Sequence, residues 1–337
     1  MRLISLSLLA YEVSHAGGLG YIGAGSDVST LAAELDKFHS LCSDSPTLSS
    51  YYKETRVTPV GVGFLLWGGK ALLDAALPIL AKHCPATVWL FAPRQAGELK
   101  TWAQEVRRVT QGKSKIWIQV GTVADAVEAT ALSQPDVLVV QGTEAGGHGL
   151  EKCAGLVSLL PEVDDAVTNT RKDNGIKKPA LIAAGGIADG RGAAAALTLG
   201  AFGVVMGTRY LASPEANVSK GYQNAVIQAS DGGVTTARGK LYDQLRGTTD
   251  WPDHYGGRGV LNHSWFDAAK GVSAEESKRL YDEALAKGDA GWGSDGRLTT
   301  YAGAGVGLVK SVTGAGAITD EVRSNARRVI QRAANMI

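Results

Sequence analysis

The sequence predicts an α/β fold: a (β/α)8 TIM barrel lacking its first β-strand, with a helical and loop-rich insertion before the last helix. Three observations carry this reading. Apolar, β-branched runs of strand length recur along the chain, amphipathic segments separate them, and glycines gather where the runs end.

The runs are residues 19–25, 58–66, 87–92, 115–120, 137–142, 180–185 and 202–208. Each is nearly continuous in apolar residues, as a strand buried on both faces must be. Segments 29–40, 70–83, 95–109, 123–132 and 191–199 have the length and periodicity of amphipathic helices. Eight such units close a barrel. With a first helix at residues 2–16, the strand that should precede it is absent, so the chain is expected to begin inside the first βα unit. Met1, Arg2 and the apolar residues to Ala10 have the outline of a short signal peptide, but helical spacing continues through Tyr11 and Val13 to a stop at Gly17, which favours a helix. Nothing approaches the ~20 apolar residues of a membrane span.

From 213 to 298 the alternation stops. This insertion carries Trp251, Trp265 and Trp292, which are read as core more readily than as a lid, since large aromatics in helical segments are mostly packing residues. Residues 1–212 and 299–337 are assigned to the barrel, and a final helix over 319–337 closes it.

Composition narrows the function classes. Of 337 residues 45% are hydrophobic and 20% charged, with a net charge of +1, which suits neither a polyanion-binding face nor an acidic tail, so no nucleic-acid or membrane partner is expected. Cys42, Cys84 and Cys153 stand far apart in no metal-ligand spacing, which argues against a disulfide framework or zinc site and for a reducing, cytoplasmic compartment.

In barrels of this kind a nucleotide phosphate sits at the loops after the last two strands. Here those loops read Ala184-Gly185-Gly186 and Met206-Gly207-Thr208, bare backbone with one added hydroxyl donor. Preceding them, residues 141–149 (QGTEAGGHG) place His148 among glycines, including Gly146 and Gly147, on the face where barrel active sites lie. Imidazole is the side chain suited to proton transfer near neutrality, which makes His148 the candidate acid/base. Gln119 and Gln141 end their strands with amides that would face a cofactor, or alternatively bond the backbone. The string from Gly18 to Gly23 matches GxGxxG, but it follows a helix and itself contains a strand, the wrong setting for a dinucleotide fingerprint.

Residues 13–20 (VSHAGGLG), 61–64 (GVGF), 141–149 and 185–190 (GGIADG) resemble motifs of the nitronate monooxygenase (2-nitropropane dioxygenase-like) family. Residues 245–247, Trp251-Pro252, Gly257-Arg258, Asn262 and 302–307 (AGAGVG) extend the likeness over nearly the whole chain. The resemblance implies non-covalent FMN and oxidation of alkyl nitronates by O2 to carbonyl compounds and nitrite, through a flavin semiquinone and without nicotinamide. It implies that His148 is the catalytic histidine, acting as base on a neutral nitroalkane and holding an anionic nitronate. Gln119, Gln141, Gly146, Gly147, Ala184, Gly185, Gly186, Met206, Gly207 and Thr208 are the expected cofactor contacts. It leaves the oligomeric state open, a homodimer included. Where the family has a first strand ending in an Ala-Pro-Met-like turn, this sequence has none, which leaves an incomplete sequence or an inactive flavin-binding member as readings. NAD(P)H:quinone and enoyl-thioester reductases on the same barrel are the enzymatic alternatives.

Overall fold

The computed structural model describes residues 3–336. Among the described residues ten strands run in chain order: β1 (Tyr21–Gly25), β2 (Thr58–Leu65), β3 (Pro85–Phe91), β4 (Lys115–Val120), β5 (Val137–Gln141), β6 (Gly147–Leu150), β7 (Ala180–Ala184), β8 (Gly203–Val205), β9 (Thr236–Gly239) and β10 (Tyr255–Val260). Seven form one all-parallel sheet in the order β1-β2-β3-β4-β5-β7-β8, the neighbour-by-neighbour order of a barrel wall.

Both faces of the central strands β2, β5 and β7 are buried, which is why they read as continuous apolar runs, whereas β8 at the sheet edge is half-buried throughout. Outward residues such as Val60, Val62, Phe64, Ile116, Ile118 and Leu138 pack under helices α1 (Ser7–His15), α2 (Leu31–Cys42), α3 (Pro46–Thr55), α4 (Gly69–His83), α5 (Ala96–Val109), α6 (Val123–Ser133), α7 (Leu156–Asn174) and α8 (Gly190–Thr198). Inward residues from six strands, among them Tyr21, Trp89, Trp117, Val139, Ile182 and Val205, form one cluster, which a flat sheet would not bring together. The sheet is therefore curled. Its wall stays open: among the described residues β1 and β8 do not pair, and along the open edge of β1 Ser5 accepts from the Gly23 N–H (2.9 Å) and Ile4 from the Asn217 N–H (2.9 Å).

The first helix forms over Ser7–His15, with Leu9, Ala10 and Tyr11 buried, and the Ser14 hydroxyl ties it to Pro59 and Gly20. Of the expected span 2–16, Arg2 lies outside the described residues. Gly20 passes so near the Ala10 carbonyl that a Cβ would fall 1.9 Å from its oxygen, so the GxGxxG string serves helix–strand packing.

Three differences from the sequence reading have local causes. α3 and α7 had no counterpart in it: α3 buries only Leu48, and Pro161 interrupts the periodicity of α7. The run 202–208 is strand only over Gly203–Val205, because Thr208 already begins the four-residue α9 (Thr208–Leu211). The insertion contains α10 (Lys220–Gln228), α11 (Gly232–Thr235), α12 (Leu241–Arg246), α13 (His263–Ala269) and α14 (Ala274–Ala286), but also β9 and β10, short glycine-rich strands without apolar alternation. The closing helix, α15, spans Ala315–Ala334.

Tyr21 fills the barrel interior in the space a β2 side chain would take, since a Cβ on Gly61 would lie 2.2 Å from its Cε1. Gly61→Ala is expected to cost about 1–3 kcal/mol by overpacking, seen as a lower urea midpoint; an unchanged midpoint would show that the ring yields freely.

Candidate active site

After β5 ends at Gln141, the chain turns and runs back across the barrel mouth as β6. That strand is held by antiparallel pairing with β10, His148 opposite Gly257, and β10 pairs in turn with β9, Arg258 opposite Arg238. Arg238 then fastens the turn from within. Its guanidinium donates to the carbonyls of Ala145 (2.6 Å), Gly256 (2.7 Å), Gly147 (2.8 Å) and Thr143 (3.4 Å). Burial, with Arg258 adding repulsion, pushes Arg238 down to about 10, so it stays charged at neutral pH.

His148 projects from this fixed backbone. Its Nε2 lies 2.9 Å from both carboxylate oxygens of Asp243, on α12. Asp243 Oδ1 also accepts from the hydroxyls of Tyr301 (2.9 Å) and Thr248 (3.0 Å). The imidazole lies flat against Trp251, with centroids 3.8 Å apart and planes 4° from parallel. Trp251 in turn packs on Trp67, Phe91 and Tyr255, joining the ends of β2 and β3 to the insertion in one aromatic wall. The other two insertion tryptophans are packing residues, Trp265 against Tyr242 and Trp292 against Tyr222.

The expected cofactor residues stand at the C-terminal ends of the parallel strands or in the turns that follow, with Gly147 at the start of β6. Gln119 and Gln141 share the inward side of β4 and β5 with Trp117 and Val139, and Gln141 pairs in register with Ala184. Gln141 Nε2 donates to the His148 carbonyl (3.1 Å), so the backbone-bonding alternative is realised there, whereas the half-buried Gln119 amide has no protein partner among the described residues. Gly185 and Gly186 take φ of 107° and 72°, a region that favours glycine. Residues 302–305 run against the loop after β8 and the turn after β5: the Gly303 N–H donates to Thr208 Oγ1 (3.0 Å), and the Ala304 N–H to the Glu144 carbonyl (2.9 Å). Around Gly147 and Gly207 a Cβ would meet nothing within 4 Å, so both backbones face open space. Open glycine backbone on both sides of the mouth and an unpartnered inward amide suit a flat, phosphate-bearing cofactor. No group of three or more His, Cys, Asp or Glu suited to a metal ion occurs among the described residues.

Sequence reasoning missed Asp243, Tyr301 and Arg238. Asp243 sits in an ordinary helical string, and nothing local marks it.

A family model for nitronate monooxygenase matches residues 99–242. The nitronate monooxygenase npaC of Metarhizium robertsii is 47% identical, over 98% of this chain and 90% of its own. The chain belongs to the nitronate monooxygenase family of enzymes. The nitronate monooxygenase of Neurospora crassa is 37% identical over 98% of this chain and 89% of its own. Among solved structures, nitroalkane oxidase from Streptomyces ansochromogenes (TM-score 0.72, 21% identity, 99% of this chain and 94% of that one) and FabK from Thermotoga maritima (0.72, 21%, 100% and 94%) share the fold.

In this nitronate monooxygenase family member, burial pushes His148 below its ordinary value; Asp243 opposes the shift and the charge of Arg238 adds to it. A histidine lowered on folding binds its proton more readily unfolded, so its contribution to stability is full above the unfolded value of ~6.5 and is lost as pH falls below it. The stability difference between wild type and His148→Gln should therefore move against wild type from about pH 7 to pH 5, measured by urea denaturation; a pH-independent difference would contradict the buried, neutral ring.

Proposed function

We propose that this enzyme oxidises alkyl nitronates with O2 to carbonyl compounds and nitrite, using non-covalently bound FMN. The observation that carries the reading is the convergence of His148 with the loops at Gly185-Gly186 and Gly207-Thr208 on one rim of the parallel sheet. Identity of 47% to a nitronate monooxygenase supports it.

Gly185, Gly186, Gly207 and Thr208 would hold the phosphate through backbone N–H groups and one hydroxyl. Gln119, Gln141, Gly146, Gly147, Ala184 and Met206 would line the rest of the flavin. FMN, when bound, supplies the electron transfer between nitronate and O2. His148 takes a proton from the α-carbon of a neutral nitroalkane, the C–H electron pair moving onto the nitro group. The protonated ring then donates to a nitronate oxygen, whereas a nitronate offered as such needs only positioning. The aromatic wall around Trp251 sheds water from His148 and suits an apolar alkyl substituent. In this reading residues 1–212 and 299–337 are the FMN-binding barrel, and residues 213–298 the subdomain covering His148. The free thiols of Cys42, Cys84 and Cys153 suit a cytoplasmic setting.

Oxygen uptake on an alkyl nitronate by FMN-loaded protein tests the activity; uptake that needs NADH and ignores nitronate would refute it. His148→Ala should lower kcat/KM on a neutral nitroalkane by about 10²–10⁴-fold. Gly207→Leu adds a side chain where the protein has none, so the apoprotein should keep its urea midpoint while FMN affinity, read by flavin fluorescence quenching, falls by about tenfold or more (~1.4 kcal/mol). Unchanged affinity would remove Gly207 from the cofactor site.

A further inference from the structure

We propose that Asp243 is the positioning residue of this site: it holds the neutral His148 ring as its Nε2–H form and thereby makes Nδ1 the nitrogen that receives the substrate proton. The proposal rests on the functional reading above and adds to it which atom acts and what aims it.

An ionised carboxylate only accepts hydrogen bonds, so the ring nitrogen facing one must carry the proton. Both oxygens of Asp243 lie 2.9 Å from Nε2. Its other partners, the Tyr301 and Thr248 hydroxyls, are donors directed at the same carboxylate. Nδ1 has no protein partner among the described residues and is not among their buried unsatisfied atoms, so it is the nitrogen left open to a substrate. Trp251 covers one face of the ring, which restricts approach and fixes its plane.

Local structure places the carboxylate. α12 ends at Gly247 in the left-handed conformation (φ 67°), and the Thr248 N–H returns to the Asp243 carbonyl (2.9 Å), setting the Thr248 hydroxyl over the side chain. With its side chain 7% exposed, Asp243 has little water to share its charge with, and the imidazole is the one ring beside it able to become a cation.

The chemical consequence is a substrate-dependent one. When a neutral nitroalkane gives its α-proton to Nδ1, the C–H pair becomes the nitronate and the ring becomes imidazolium. Asp243 offsets that new positive charge through the Nε2–H bond it already makes. A nitronate supplied as such transfers no proton, so the carboxylate contributes far less to its oxidation.

The test uses the full-length, FMN-loaded chain and the variants Asp243→Asn and Asp243→Glu. The ratio of kcat/KM on 2-nitropropane to that on its nitronate should fall about 100-fold in Asp243→Asn and recover substantially in Asp243→Glu. Independently of turnover, ¹⁵N NMR of the His148 ring, assigned by its loss in His148→Ala, should show the Nε2–H form in wild type. Its titration midpoint should drop by about one unit or more in Asp243→Asn, because Asp243 is the negative charge opposing Arg238 at this ring. An Nδ1–H ring in wild type, or equal loss on both substrates, overturns the proposal. If wild type oxidises no nitronate, the functional reading falls, and the ring spectrum still decides whether Asp243 sets the tautomer.

Discussion

A guanidinium cannot shed its charge at neutral pH, so one buried in a protein must be solvated by the dipoles around it. Arg238 forms no salt bridge among the described residues and is met by four backbone carbonyls, three from the turn before and into β6 and one from β10. Those carbonyls are thereby committed to face inward, and the turn that carries His148 has one way to lie. The neighbouring Arg258 stands opposite it in the β9–β10 register and repels it, yet has partners of its own at Thr143 and Thr236.

The order of that backbone passes to the side chains. His148, Asp243, Tyr301 and Thr248 form a set in which one carboxylate is met by three donors, in a region screened by aromatic rings, with the imidazole Nδ1 left without a protein partner among the described residues. Exclusion of water strengthens each of these bonds and makes each loss expensive, since an unpaired buried carboxylate has no neutral alternative without taking up a proton. Trp251 supplies both the screen and the plane against which the imidazole rests.

The parallel sheet explains why the remaining parts meet. Strands that all run one way put all their C-terminal ends on one rim, so Gln119, Gln141, Gly185 and Gly207, far apart in sequence, become neighbours of one space. Curling is enforced from inside, where Tyr21 packs edge-on to Trp89 and beside Trp117 across the barrel interior. Along the open edge of β1, residues 4 and 5 accept from the Asn217 and Gly23 N–H groups.

What the sequence determined by itself was the periodic and the local: seven apolar strands, the helices between them except α3 and α7, the glycine loops at the rim and the isolated histidine among glycines. Each follows from patterns of a few residues, because burial on both faces requires an unbroken apolar run and a tight loop requires glycine. The short strands β6, β9 and β10 escaped because four- to six-residue glycine-rich segments have no period, and α3 because only Leu48 reports its buried side. Only the tertiary structure chose Trp251 over Trp265 and Trp292 as the residue at the histidine, and Asp243 as its partner across 95 positions. An aspartate in a helix looks the same in sequence whether it faces water or an imidazole. The difference lies in where β9, β10 and Arg238 draw the insertion over the barrel mouth, a long-range packing outcome with no local residue signature.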